Sequence, residues 1–322
     1  MILVALLPSV AFGCMSLLTM KLQGDQRQQT LGMMLGGLIV ALVLWPFSGG
    51  MISLHLWLIA MGCGFMLGMG IHFQIMSFHV LGVSRTMPIS TASQLILMSV
   101  LGVLVLGEWR APGALPVGIV ALVCLVFGVI ATTWTEKSPS LAADQSAIEG
   151  IAFAPAPTAV PPESPRQEKV VLDWPKGILY LVLSTLPLVL YLIILRWFDI
   201  DAIKGFLPLV LGAAVAGLLF SFPQFSPHLG KRDTRWQRST LWQLIPGLVW
   251  CAGLAIMQYA TEQVGVATGF TLSQLGVIIS TVGGITLLGE KRSRKELWVL
   301  SVGIVLLVVG AILVGVAKGL DA

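Results

Sequence analysis

Apolar residues run along this chain in blocks of about twenty, separated by short polar turns, and each block could cross roughly 30 Å of hydrocarbon as a helix. The pattern predicts ten such helices, at 2–20, 31–48, 54–79, 84–106, 112–134, 177–196, 204–223, 240–261, 266–288 and 297–317. Five precede the long polar segment at 135–176 and five follow it. The expected architecture is therefore all-α and integral to a membrane, with a first helical unit at 1–134, a linker at 135–176 and a second unit at 177–322. The linker holds seven prolines, several of them in the run APAPTAVPPESP at 154–165. Such a segment buries too little apolar area to fold, which predicts a flexible tether.

The two units echo each other. GFMLGMGIHFQIMSFHVLGVSRTMPISTASQL at 64–95 reappears as GLVWCAGLAIMQYATEQVGVATGFTLSQL at 247–275, with Gly64 and Gly82 each matched 183 positions later by Gly247 and Gly265. Both copies run on into Leu-Gly-Glu, at 106–108 and 288–290. Duplication within a membrane chain predicts a carrier made of two inverted five-helix repeats, its substrate site between them. Small residues four apart, such as Gly32 and Gly36 or Gly64 and Gly68, fall on one helix face and predict close helix packing.

Composition agrees with lipid as the main solvent: 56% of residues are hydrophobic and 11% charged, against about 25% charged in a soluble domain. The net charge of +4 does not point to nucleic acid, because the basic residues sort by loop. Of the 19 Lys and Arg, 15 lie in the odd-numbered loops and 4 in the even loops and C-terminal tail. The positive-inside rule then puts both termini and the 48–53 loop outside, and the linker, 231–238 and 291–296 in the cytoplasm. The first apolar block is preceded only by Met1; without a basic leader it is expected to stay as a helix. Cys14, Cys63, Cys124 and Cys251 lie within apolar blocks and lack metal-ligand spacing, so they are expected to be small core residues.

No catalytic constellation is present: the four histidines form no H-E-x-x-H pair, and there is neither a Walker A sequence nor a Gly-x-Ser-x-Gly. No cofactor or metal is expected. What the helices do carry is uncharged polar side chains in repeated positions. Ser90, Thr91, Ser93 and Gln94 in the fourth block are answered by Thr271, Ser273 and Gln274 in the ninth. Thr271, Gln274 and Thr281 have helical spacing that would set them on one inward face. Ser and Thr often serve only as hydrogen bonds between helices, whereas a carboxamide has more donors and acceptors to satisfy and suits a polyol. The third and eighth blocks add His72, Gln74, Trp250 and Glu262. An indole at Trp250 could stack on a sugar ring, although packing is an equal alternative. Glu108 and Glu290 close their blocks beside Arg110 and Lys291-Arg292, which suggests local salt bridges at the membrane interface.

With these motifs the chain resembles the drug/metabolite transporter superfamily and, more narrowly, the bacterial glucose/ribose porter family of sugar uptake proteins. GVSRTMPISTASQL at 82–95, PGLVW at 246–250 and GVATGFTLSQLGVIISTVGGITLLGEKR at 265–292 carry the resemblance, together with LPSVAFG at 7–13 and TLGMMLGGLIVAL at 30–42. It covers nearly all the chain outside 135–176. The resemblance implies monosaccharide uptake, glucose or ribose being typical. Members have tryptophan, glutamine or asparagine where this chain has Phe12, Ile71, Phe73 and Leu254.

The expected function is alternating-access uptake of a monosaccharide through the cell membrane of a bacterium. Gln94, Gln274, Ser90, Thr271, Ser273, Trp250 and Gln74 are the candidate binding residues. Facilitated diffusion is the first reading of the energetics; proton coupling through His72 or Glu262 is the alternative, since a coupling proton needs a titratable group within the membrane. An exporter of drugs or metabolites on the same fold, and a membrane scaffold working through the linker, are the rival functions. The expected partners are the sugar and the bilayer; the oligomeric state stays open, with a homodimer as one option.

Overall fold

The computed structural model describes residues 2–105, 111–134, 173–225, 233–264, 273–290 and 292–320. All the long elements among them are helices: α1 Ile2–Lys21, α2 Gln26–Leu44, α3 Leu54–Leu81, α4 Val83–Val105, α5 Ala114–Thr133, α6 Trp174–Trp197, α7 Phe206–Phe220, α8 Leu244–Val264, α9 Gly276–Thr286 and α10 Arg294–Leu320. A five-residue helical turn, Arg238–Trp242, leads into α8. Six helical segments are long and apolar enough to cross a membrane, among them Leu54–Leu81, Trp174–Trp197 and Arg294–Ala317. The linker from 135 to 172 and the Leu-Gly-Glu turn at 106–108 lie outside the described residues.

The most extensive helix contacts recur when each helix is advanced by five, whereas those of α4 with α5 and α10, and of α2 with α3, have no counterpart of similar extent among the described residues. α3 packs against α6 and α7, and α8 packs against α1 and α2; α1 meets α9 as α6 meets α4. α2 faces α7, α4 faces α9 and α5 faces α10. The main core gathers Met33, Met34, Ile75, Val210, Cys251 and their neighbours from these inner helices. A second cluster, with Leu95, Leu125 and Leu307, joins α4 to the outlying pair α5 and α10. Outward faces carry exposed Leu104, Ile119, Phe127, Val305 and Ile312, as a helix solvated by lipid should.

Glycine permits the tightest crossings. A Cβ on Gly64 would stand 1.7 Å from the Leu209 carbonyl oxygen, and one on Gly212 would stand 1.9 Å from that of Met61. These backbones of α3 and α7 are therefore in direct contact. The matching crossing of α2 and α8 uses Gly36 and Gly247, whose Cβ atoms would meet the carbonyls of Leu244 and Met33 at 2.3 and 2.2 Å.

Three of the boundaries that differ from the sequence pattern have a plain local reason. α2 begins five residues early, because Asp25 and Gln28 form a reciprocal capping box and the polar turn 26–30 is buried. α6 starts at Trp174, where Asp173 accepts a hydrogen bond from the Lys176 amide. Within the described part of the ninth block, 273–288, the regular helix is only the eleven-residue α9. Before it, Val277 N–H donates to the Gln274 carbonyl at 3.1 Å and Ile278 N–H to that of Leu275 at 3.1 Å. These are three-residue steps, tighter than an α-helix, so the regular spacing from Gln274 to Thr281 is interrupted.

Candidate functional site

Two cavities compete as the site. The larger, about 340 Å³, lies at one end of the bundle among Leu44, Trp45, Phe47, Ile203 and Phe206, with only Gln258 and Tyr259 as polar lining. The smaller, about 100 Å³, lies among the inner helices and is lined by Gln74, Thr91, Gln94, Tyr191, Trp250 and Gln274 amid apolar side chains such as Met15, Leu67 and Met257. A polar solute pays for lost hydration unless the wall replaces its hydrogen bonds. The smaller cavity is therefore the better site, although it has less room.

Its lining comes from both halves of the sequence, in part from matched positions. Leu67, Ile71 and Gln74 of α3 are answered by Trp250, Leu254 and Met257 of α8, each 183 positions later. Gln94 and Gln274 hold the same place in the two Ser-Gln-Leu motifs. Phe12 and Tyr191 each follow, by four residues, a proline inside a helix, Pro8 in α1 and Pro187 in α6. Proline removes a backbone hydrogen bond and bends the helix. α4 carries one too, Pro88, just before Ser90 and Thr91.

Two of the three carboxamides are held by a hydroxyl. Ser90, fully buried, accepts hydrogen bonds from the Gln74 amide nitrogen at 2.8 Å and from the Gln94 amide nitrogen at 2.9 Å. This bridge ties α3 to α4 and fixes both amides at the cavity wall. Trp250 lines the cavity and also packs over α2, where a Cβ on Gly37 would lie 3.0 Å from its six-membered ring. Ser273 is buried beside Gln274 but does not line the cavity. Thr281 is buried with no hydrogen-bond partner for its hydroxyl among the described residues, and it does not line the cavity. Thr271 and the side chain of Glu262 lie outside the described residues.

His72 is elsewhere. Its Nδ1 is 2.9 Å from the Thr30 hydroxyl, and its ring stacks on Phe220 at 5.3 Å between centroids. The imidazole joins α2, α3 and α7 and does not line the cavity. Among the positions where the chain departs from the resembled family, Phe12, Ile71 and Leu254 are cavity walls. Phe73 instead stacks on Tyr180 at 6.4 Å.

Tyr191 and Thr91, each with a hydroxyl, are also residues of the wall. Thr91 stood in the polar motif, but Tyr191 was hidden within the apolar block of α6. The sequence signal that would have found it is the shared Pro-x-x-x-aromatic spacing of Pro8-Phe12 and Pro187-Tyr191.

At the end of the bundle opposite the larger cleft, polar groups close the structure. Gln28 Nε2 donates to the Thr234 carbonyl at 2.9 Å and to Gln237 Oε1 at 3.0 Å, while the Thr234 hydroxyl donates to Asp25. Gln243 Nε2 donates to the carbonyls of Thr19 and Gln23 at 3.0 and 2.6 Å. Asp233 is held down at about 2 by hydrogen bonds from Arg235, whose guanidinium also lies 4.0 Å from the centroid of the Phe222 ring.

Glu290 reaches well beyond its own helix end; Lys291 lies outside the described residues. Its carboxylate accepts from the amides of Val83 at 2.7 Å and Ser84 at 3.1 Å, and from the Ser84 hydroxyl. An acidic group at exposed amides of a helix start is stabilising, so the second unit caps α4 of the first. Burial, then the nearby Arg85 charge, brings Arg292 down to about 10, against the opposing pull of Glu296 and Glu290. Glu108, the repeat counterpart of Glu290, lies outside the described residues.

Comparison with known proteins places this architecture. A family described as "Sugar transport protein" matches residues 3–156 and 157–317. A Listeria innocua protein that carries a sugar-uptake name is 36% identical over 318 residues, 99% of each chain. The glucose uptake protein GlcU of Bacillus subtilis is 32% identical over 317 residues, 98% of each chain. A solved crystal structure superposes with a TM-score of 0.57 at 14% identity, covering 97% of this chain and 96% of that one, a likeness of fold alone. By residues matched and by identity along its whole length, this chain belongs to the family of sugar transport proteins.

Proposed function

We propose that the chain carries a monosaccharide, glucose-like or ribose-like, into a bacterial cell across the cytoplasmic membrane. Its ten helices would act as two inverted five-helix repeats that rock about the inner cavity in alternating access. The observation that carries this reading is the cavity wall itself. Repeat-related residues from both units converge there, and carboxamides, hydroxyls and an indole offer the mixed donors, acceptors and flat apolar face that a sugar requires. The sugar-uptake names of the relatives point the same way. A volume of about 100 Å³ is well below the about 300–1,000 Å³ of drug-sized pockets, and a monosaccharide would itself need the helices to part around it, as alternating access requires.

Transport is proposed to be equilibrative. His72, an imidazole within a span, is engaged by Thr30 and Phe220 away from the cavity, a poor location for a proton that must be exchanged with each side. The orientation rests on the basic residues. Lys21, Arg27, Arg85, Arg235 and Arg292 belong to the end closed by polar contacts, which would be cytoplasmic. The test is uptake of labelled glucose and ribose by the full-length protein in proteoliposomes. Saturable uptake of one of them to the external level, unchanged by an imposed proton gradient, is the expected result. Accumulation above that level would assign proton coupling, and uptake of neither sugar would overturn the carrier reading.

A further inference from the structure

The cavity is matched in position across the two units but unmatched in chemistry. Phe12 and Tyr191 occupy corresponding places after Pro8 and Pro187, yet only Tyr191 brings a hydroxyl. Leu67 and Trp250 correspond, yet only Trp250 brings an aromatic face. Gln94 and Gln274, by contrast, are the same residue on both sides. A wall with only the two glutamines would bind a ring equally well in two orientations. Tyr191 and Trp250 of the second unit, and Gln74 of the first where the second has Met257, are different groups at different places, so they break this degeneracy.

Tyr191 is the more informative of the two. Its side chain is buried, with a relative exposure of 5%; its hydroxyl makes no hydrogen bond among the described residues and has the Cys63 thiol as its electrostatic neighbour. Buried tyrosine hydroxyls usually find a partner, because leaving one unmatched is costly. Trp250 is already explained in part by packing on Gly37. No hydrogen bond within the protein accounts for the Tyr191 hydroxyl, and Tyr191 is a lining residue of the cavity.

We infer that Tyr191 is a specificity-determining residue: its hydroxyl recognises one hydroxyl of the bound sugar and so fixes which way round the ring lies between Gln94 and Gln274. The inference rests on the sugar-carrier reading above and deepens it. A phenol can both donate and accept, so it would read a single hydroxyl without requiring a charge on the ligand. Loss of a matched polar contact discriminates far more sharply than a change in apolar fit.

The experiment uses proteoliposomes of the full-length wild type and Tyr191→Phe, with the sugar that wild type takes up, glucose or ribose, as the labelled substrate. Each monodeoxy analogue of that sugar is added as competitor. Wild type should discriminate against several analogues. Tyr191→Phe should weaken the parent sugar roughly 10-fold and lose discrimination at one ring position only. Its thermal stability without sugar should be unchanged or higher, because no protein hydrogen bond is removed, whereas its stabilisation by sugar should shrink. The reciprocal variant Phe12→Tyr/Tyr191→Phe should bind but with an altered deoxy profile. If Tyr191→Phe keeps the whole wild-type deoxy profile, or weakens every analogue by the same factor, the inference is overturned. If wild type takes up neither sugar, the carrier reading fails first and the inference with it, a result distinct from either of these.

Discussion

Gln94 and Gln274 reach the cavity with different freedoms. The amide nitrogen of Gln94 donates to Ser90, so the side chain is oriented before any sugar arrives. Gln274 makes no side-chain hydrogen bond among the described residues and sits in a tight turn just ahead of α9. Both Gln94→Ala and Gln274→Ala should leave a sugar hydroxyl unmatched, at about 1–3 kcal/mol or roughly 5- to 150-fold in half-saturating concentration. Ser90→Ala should weaken transport as well, by freeing Gln74 and Gln94 together. Uptake normalised to protein in the membrane checks all three; normal kinetics in each would make the polar wall mere packing. The glutamines were legible because a repeated carboxamide stands out in an apolar block. Tyr191 was not, since a single aromatic residue among Leu and Val has no polar neighbour to mark it. Nor could the pattern distinguish His72 from Gln74: they are two residues apart on α3, and only the packed neighbours decide which faces the cavity.

At the scale of elements, the positions of the helices were legible because lipid demands long apolar blocks. Their polar ends were less so. Residues 26–30 look like a loop in composition, yet the Asp25–Gln28 capping box and contacts from Thr234 and Gln237 bury them as the first turn of α2. Glu290 likewise finds its partners 207 and 206 positions away, at Val83 and Ser84, beyond any local spacing rule. Glycine spacing did signal close packing, and the structure shows which glycines are limiting. At Gly64 an added methyl would meet backbone atoms of Leu209 that cannot rotate aside, whereas at Gly62 a methyl meets nothing within 4 Å. Gly64→Ala should therefore push α3 from α7 and cost about 1–3 kcal/mol, in line with overpacking elsewhere. Gly62→Ala should be neutral or slightly stabilising, because alanine is the better helix former. Thermal melting of the two purified variants in detergent separates these outcomes; equal stability would mean that the α3–α7 crossing is loose.

For the whole molecule, the two ends differ where a two-fold relation would make them alike. Advancing the helices by five turns the α1–α2 connection into the α6–α7 connection, and the α7–α8 connection into the α2–α3 connection under closure of the two-unit ring. At one end the first pair is joined by Asp25, Gln28, Thr234 and Gln237. At the other, the corresponding segments line the cleft of about 340 Å³ between Trp45 and Ile203. The structure is therefore closed at its basic end and parted at the opposite one. Transport by rocking would exchange these conditions, breaking the polar closure while the cleft collapses. The apolar lining suits that step, because a cleft of Trp45, Phe47 and Ile203 gains from closing over apolar surface, whereas the polar end must trade its hydrogen bonds for water at little net cost. Holding the polar end shut should then stop transport without destroying the site. In a background lacking Cys14, Cys63, Cys124 and Cys251, Asp25→Cys with Thr234→Cys can be bridged by oxidation or by a short thiol cross-linker. Bridged protein should fall to background uptake, recover when the bridge is reduced, and still be stabilised by sugar against heat. Full bridging with uptake at the unbridged rate would show that these segments do not separate during transport, and the sugar would need another exit.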